Sequence, residues 1–301
     1  MCQFLTSLRQ IANSESVGTL DGVRRHLHWQ MRRVLNDFPC DLAISNSRLR
    51  VHCATGVAAL VNAMGEYDYN NMRFVKTLLQ RLQGLFVDVG ANIGTYTLIA
   101  SEVENARVIA LEPHPATFAV LAENVRLNQR SNVTCLNVAA SSRDAEVQFT
   151  DEKEPALNRV VHRTDGNPSI LRVPGRRLET LCRSLGAIPD LIKIDVEGHE
   201  PEVLEGLGEL RHSAKAIFVE GGERETVRQW MSDAGYIGPF FVHFNQRLIS
   251  SQAQRRREDP VFIQHSFLSD LEMSKPRRCE GDFRGTLDSQ TEECRGAGIW
   301  H

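Results

Sequence analysis

The segment Leu85-Phe86-Val87-Asp88-Val89 is a short, Val-rich apolar run carrying one acid, and it stops on Gly90-Ala91-Asn92-Ile93-Gly94. Thr95-Tyr96-Thr97-Leu98-Ile99-Ala100 follows without a break. Such a run bounded by glycines reads as a buried parallel strand, and the residues after Gly94 can open a helix. Strand, tight turn and helix N-terminus in immediate succession point to a parallel α/β layout. They also make a ligand site. Backbone without a Cβ approaches a ligand closely, and a helix N-terminus offers unpaired N–H groups to an anionic part of it. The next apolar run, Arg107-Val108-Ile109-Ala110-Leu111, closes on a second acid, Glu112. Its offset from Gly94 is close to the roughly 20 residues at which an acid grips ribose hydroxyls in nucleotide-binding α/β folds. A nucleoside-containing cofactor follows.

What is missing narrows the cofactor. A dinucleotide fingerprint has glycines at its first, third and sixth positions, so that backbone can touch a pyrophosphate. Counted from Gly90, those positions hold Gly90, Asn92 and Thr95, and Asp88 sits where it would repel phosphate. A ligand with an amino acid carboxylate and ammonium but no phosphate suits this turn better. S-adenosylmethionine (SAM) has that character. A plainer reading, in which Gly90 and Gly94 serve only the turn, leaves Glu112 as a coincidence.

A chain of 301 residues with 42% hydrophobic and 24% charged content is ordinary for a soluble globular protein of one large domain, or one with appendages. The net charge of −3 gives no electrostatic case for a nucleic acid or membrane partner. The seven cysteines are scattered, so reduced, intracellular thiols are expected. Met1 to Ser16 lacks a basic region followed by an apolar one, and no apolar run approaches bilayer length. A cytoplasmic protein without signal peptide or membrane span is expected.

Three stretches divide the chain: a helical and strand extension over 1–64, a cofactor-binding domain over 65–250, and a polar, partly disordered tail over 251–301. Residues 1 to about 45 read as helical, with Val23, Leu27, Met31 and Leu35 at spacings of four forming the apolar face. His26 and His28 lie two apart there, too far around a helix to share a ligand, and read as surface or packing residues. Arg48–Cys53 alternates like a strand, and Tyr67–Leu82 reads as a helix. Thereafter strands are expected at 85–89, 107–111, 133–138, 190–195 and 216–220. Helices are expected at 94–102, 116–128, 178–185, 200–210 and 223–233. Phe118, Leu121, Ala122 and Val125 face the sheet from the second of these helices. Repeated βα units require a parallel sheet with right-handed crossovers. Residues 143–177 interrupt the rhythm with a strand at Ala145–Phe149 and a polar loop able to cover a substrate. Arg255-Arg256-Arg257 and Pro276-Arg277-Arg278 read as a solvated tail.

Four motifs in order, Val87-Asp88-Val89-Gly90-Ala91-Asn92-Ile93-Gly94, Leu111-Glu112-Pro113-His114-Pro115, Lys193-Ile194-Asp195-Val196-Glu197-Gly198-His199-Glu200 and Val219-Glu220, resemble the FkbM family of SAM-dependent methyltransferases. The likeness covers roughly residues 65–245. It implies an α/β, doubly wound, mostly parallel seven-stranded sheet of the class I, Rossmann-like methyltransferase type, here with an N-terminal helical extension. It also implies that Asp88, Gly90, Asn92 and Gly94, with Ala91 in the same turn, surround the methionine part of SAM while Glu112 holds the ribose. Asn137-Val138-Ala139 would lie near the adenine, which makes Asn137 and Ala139 candidates there. His114 either packs beside the adenosine or is a solvent-facing turn residue.

In open α/β sheets ligands gather at the carboxyl ends of the strands. Asp195, Glu197 and Glu220 therefore converge where the sulfonium methyl would sit, with His199 close in sequence. Two routes to deprotonating an acceptor hydroxyl are open. An acid or His199 takes the proton during transfer, or Asp195 and Glu220 hold a Mg²⁺ that lowers the hydroxyl's pKa. Asp195 and Glu197 can also cap the helix beginning near Glu200, and His199 can be an ordinary helix-start residue.

Members of the resembled family act on polyketide hydroxyls and on sugars, including the fucose of bacterial nodulation signals. The expected activity is therefore O-methylation of a small-molecule or glycan hydroxyl. A sugar is preferred because it suits the polar segment Asp151–Asn167, with Glu152, Asn158, His162 and Arg163. A polyketide hydroxyl is the alternative. An NAD-dependent oxidoreductase or epimerase, and a catalytically silent SAM-binding protein, are readings from other classes. The oligomeric state is not readable from sequence.

Overall fold

The computed structural model describes residues 19–151, 159–161, 170–243, 246–250 and 259–268. Much of the expected polar segment, including Glu152, Asn158, His162 and Arg163, and both arginine clusters lie outside these residues.

The described residues begin with helix α1 (Thr19–Leu35), a hairpin of β1 (Cys40–Ile44) and β2 (Ser47–Val51), and helices α2 (Gly56–Met64) and α3 (Tyr69–Leu82). Then β3 (Leu85–Val89), α4 (Thr95–Ser101), β4 (Arg107–Leu111), α5 (Pro115–Leu127) and β5 (Val133–Leu136) alternate as expected. A small four-stranded sheet follows, built from β6 (Ala139–Ala140), β7 (Glu146–Thr150), β8 (Val160–Val161) and β9 (Ile170–Arg176). The alternation resumes with α6 (Leu178–Ser184), β10 (Leu191–Ile194), α7 (Glu200–Glu205), β11 (Ala216–Val219) and α8 (Glu225–Asp233). Three antiparallel strands finish the described chain: β12 (Tyr236–Val242), β13 (Leu248–Ile249) and β14 (Val261–Gln264).

The main sheet has eight strands in the order β13-β12-β14-β11-β10-β3-β4-β5, with β11, β10, β3, β4 and β5 parallel. The eighth is the two-residue edge strand β13. Every residue of β3, β10 and β11 is buried, as parallel strands covered on both faces require. Side chains alternate between two cores. Phe86, Val108, Leu191 and Phe218 meet α3 and the N-terminal elements on one face, whereas Val87, Ile109, Ile192 and Ile217 meet α6, α7 and α8 on the other. From β3 the chain runs outward through β4 to β5, then returns to the other side of β3 as β10. The carboxyl ends of β3 and β10 thus flank a topological switch point, where open α/β sheets hold ligands.

Three expectations are corrected. The helical reading of residues 1 to about 45 gives way at Cys40 to a hairpin. The stripe Val23, Leu27, Met31, Leu35 is not the packed face of α1. Leu27, Met31 and Leu35 are exposed, while Gly22, His26 and Trp29 turn inward, and Trp29 (2% exposed) meets the Phe38 ring edge-on at 5.5 Å. One bulky aromatic packed into the core against Phe38 outweighs a longer aliphatic stripe. Finally, the tail assigned to 251–301 contains β14, which threads between β11 and β12. Val261-Phe262-Ile263 is a fully buried strand that its polar neighbours disguised. The described part of the expected extension, residues 19–64, shares the same core through Trp29, Ile44, Leu49 and Val61. Among the described residues no helix is long and apolar enough to cross a membrane.

Candidate active site

The turn after β3 is held open by three left-handed residues, Gly90 (φ 80°), Asn92 (φ 51°) and Gly94 (φ 97°). Gly90 is obligatory for a second reason: a Cβ there would lie 1.8 Å from the Asp195 carbonyl oxygen. The turn and the end of β10 touch backbone to backbone, which no other residue type allows. The amides of Gly90 and Ala91 donate to the Leu111 carbonyl at 3.0 and 2.9 Å, tying the turn to the end of β4.

Glu112 lies just beyond β4 and is 6% exposed. One carboxylate oxygen accepts the Asn92 amide and the other the His114 amide, both at 2.9 Å. Burial pushes its carboxyl up to about 7 despite these bonds. Each oxygen keeps a second lone pair, so the group can still receive two hydroxyls of a ribose diol. The Asn137 amide donates to the carbonyls of Glu112 and Pro113, at 2.8 and 2.9 Å. Its side chain is thus a strut that fixes the backbone carrying Glu112. Ala139 is buried against Phe149 and Val173. His114 is 8% exposed and caps α5, so it is not a solvent-facing turn residue. Its Nδ1 accepts from the Thr117 amide at 3.4 Å. Its Nε2 lies 3.1 Å from an Asp151 carboxylate oxygen. Asp88 lies beneath the turn: it is 1% exposed, accepts the Thr97 hydroxyl at 2.6 Å, and is raised by burial.

The acids after β10 and β11 do converge. Oxygens of Asp195, Glu197 and Glu220 lie within 4.8 Å of one another. Burial first, then Asp195 and Glu197, push Glu220 up to about 8. The buried Oε2 of Glu220 has no hydrogen-bond partner among the described residues. Glu197, in a left-handed conformation (φ 53°), is raised by burial and by Asp195. His199 is not in this cluster. It is buried at the start of α7, with Nε2 3.2 Å from the Ser141 hydroxyl and Nδ1 3.4 Å from Glu202.

Several groups at this mouth were given no role in the sequence. Lys193, 4% exposed in the middle of β10, places Nζ 2.7 Å from Asp195 Oδ2 and 4.8 Å from the Tyr96 ring centroid. Burial works against its charge, but Asp195, Asp259 and Asp88 outweigh it and raise its pKa. Tyr96 donates its hydroxyl to Asp68, and Asn71 donates to the Asp259 carbonyl at 2.9 Å. Burial pushes Asp259 up to about 7. A lysine inside Leu191-Ile192-Lys193-Ile194 was the available signal, because a charge in a strand buried on both faces must have a partner.

A doubly wound sheet with a glycine turn at its switch point, an acid after the second parallel strand and carboxylates across the gap define a class I, SAM-dependent methyltransferase fold. The methyltransferase FkbM domain model matches residues 88–237. The chain is 34% identical over 197 residues to the hexuronic acid methyltransferase AglP of Haloferax volcanii, a span of 62% of this chain and 77% of that protein. Methyltransferase 1 of Beauveria bassiana is 28% identical over 142 residues, covering 40% of this chain and 57% of that protein. Methyltransferase sdnD of Sordaria araneosa is 28% identical over 188 residues, covering 50% and 72%. The chain belongs to the FkbM methyltransferase family and is a methyltransferase. An oxidoreductase using NAD and a silent fold give way to this assignment.

Proposed function

We propose that this enzyme transfers the methyl group of SAM to a hydroxyl of a sugar or glycan. The observation that carries the reading is the three-carboxylate mouth of Asp195, Glu197 and Glu220 beside the glycine turn, which can both hydrogen-bond a polyol and accept a proton. The relative AglP, named for a hexuronic acid, supports a sugar over a polyketide hydroxyl.

In this reading Glu112 receives the ribose hydroxyls, with Asn137 steadying its backbone, and the turn from Asp88 to Gly94 cradles the methionine end. His114 and Ala139 border the adenine side. SAM supplies an activated methyl on a sulfonium, so alignment of oxygen, carbon and sulfur is most of what remains. Asp195 takes the hydroxyl proton as transfer proceeds, while Glu197 and Glu220 hold neighbouring hydroxyls. Proton removal of this kind contributes about 10²–10⁴-fold. His199 supports the mouth from below through Ser141 and Glu202 rather than acting as base.

A Mg²⁺ on Asp195 and Glu220 fits this donor set poorly. One Asp195 oxygen is already paired with the Lys193 ammonium at 2.7 Å.

Incubation with SAM and a panel of neutral, amino and acidic glycans, followed by mass spectrometry, tests the reading. Gain of one methyl on an alcohol oxygen is expected. Tight SAM binding with methylation only of non-sugar acceptors would overturn it.

A further inference from the structure

We propose that Lys193 is a positioning residue for methyl transfer: its buried ammonium supplies, from within the chain, the cation that a metal-dependent site would recruit, and it aims Asp195 at the acceptor hydroxyl. The inference rests on the O-methyltransferase reading above.

The placement follows from the sheet. Lys193 is in register with Asp88 on β3 and Phe218 on β11, so all three project to the same face, beneath α4. Asp195, two residues on, turns the same way. The side chain of Lys193 is 5% exposed and that of Asp195 is 35% exposed. A dry ammonium therefore stands behind a carboxylate that reaches the cleft. It engages Oδ2 at 2.7 Å.

A lysine serving only to neutralise Asp88 would be placed differently. Asp88 already receives the Thr97 hydroxyl at 2.6 Å, and the carboxylate that Lys193 grips is the accessible one. Tyr96 covers the ammonium with its ring face and is itself fixed by its hydroxyl on Asp68. Tyr67 and Asp259 face the same ammonium from α3's approach and from the start of β14. The buried Lys193 ammonium is thus held between the Tyr96 ring and Asp195, and a charge-assisted bond to it orients Asp195.

The step balances without another reagent. The acceptor oxygen forms a bond to the methyl carbon as the carbon–sulfur bond breaks, and that electron pair goes to sulfur. The hydroxyl proton passes to Asp195 and then to water, leaving S-adenosylhomocysteine and an O-methyl acceptor. Lys193 keeps its proton throughout.

The test uses the full-length protein, with Lys193→Met and Lys193→Arg compared with wild type. Selective ¹³Cγ-aspartate labelling, with Asp195→Asn assigning the resonance, reads the Asp195 titration without any acceptor. Removing an opposite charge at this distance should raise it by about 1–3 pH units in Lys193→Met. Lys193→Arg should restore most of the shift. SAM affinity by calorimetry should stay within about threefold, because the group lies outside the ribose cradle. On a methylatable acceptor, kcat should fall by about 10²-fold with the acid limb of its pH profile moved upward, while acceptor KM changes little. Excess EDTA should leave wild-type turnover unchanged. An unmoved Asp195 titration in Lys193→Met overturns the inference, and so does turnover abolished by EDTA and restored by Mg²⁺. If Lys193→Met does not fold, Lys193→Arg carries the test: a wild-type Asp195 titration supports the role, and one raised as far as a neutral residue would raise it overturns it. Failure to methylate any glycan would strike the functional reading alone, since the titration stands apart from it.

Discussion

Glu112 and Glu220 each follow a parallel strand of the same sheet, and burial raises both, to about 7 and about 8. Their surroundings differ in kind. Glu112 is fastened by two backbone amides from the turns it joins, so its geometry is complete before any ligand arrives. Glu220 faces other acids, and one of its buried oxygens has no partner among the described residues. The first is a rigid cradle for a cofactor that every turnover shares. The second becomes satisfied only when a proton or an acceptor's hydroxyl is delivered to it, which is a property of a reacting site.

That contrast can be broken most sharply at the acceptor side. Asp195→Asn should lower kcat by about 10²–10⁴-fold while calorimetric SAM affinity holds, and a similar loss of both would erase the distinction. Next in size, Glu112→Ala removes two charge-assisted bonds to the ligand's position and leaves two amides unpaired. SAM affinity should fall by about 10²-fold, whereas Glu220→Ala should leave it within about threefold.

The pH dependence of stability follows from the same groups. Glu112, Glu220 and Asp259 all have carboxyls raised in the folded state. The native protein binds protons that the unfolded chain has released, so stability falls as pH rises from about 4.5 to about 8. Thermal melts should show Tm declining across that window, and Glu220→Gln should flatten the upper part of the slope. A Tm that climbs with pH there would contradict the burial of these acids.

The smallest effect concerns His199. Replacing it with Ala removes the Ser141 and Glu202 contacts under the mouth. The expected cost is about 1–3 kcal/mol of stability, read by denaturant unfolding, with kcat lowered less than tenfold. A kcat loss matching that of Asp195→Asn would restore His199 as the base.

Local sequence was sufficient where the physics is local. A glycine turn between an apolar run and a helix start, an acid one βα unit later, and βα alternation each depend on neighbouring residues, and each was legible from Leu85 to Glu220. The convergence of Asp195, Glu197 and Glu220 was legible too, because strand ends in a parallel sheet share one edge. The packed face of α1 was not. Leu27 and Trp29 are both apolar residues of that helix, and only packing against Phe38 and the core selects Trp29. The strand Val261–Gln264 was hidden because a short apolar run beside arginines acquires meaning only from the gap between β11 and β12. Lys193 stood in plain view inside a quoted motif, yet its role depended on Asp88, Tyr96, Asp195 and Asp259, which come from four separate elements. Sequence by itself determined the layout of the sheet and where a cofactor would dock. Only the tertiary structure decided which charges face one another at the mouth, since the energy of a buried charge is set by distant groups brought within a few ångströms of it.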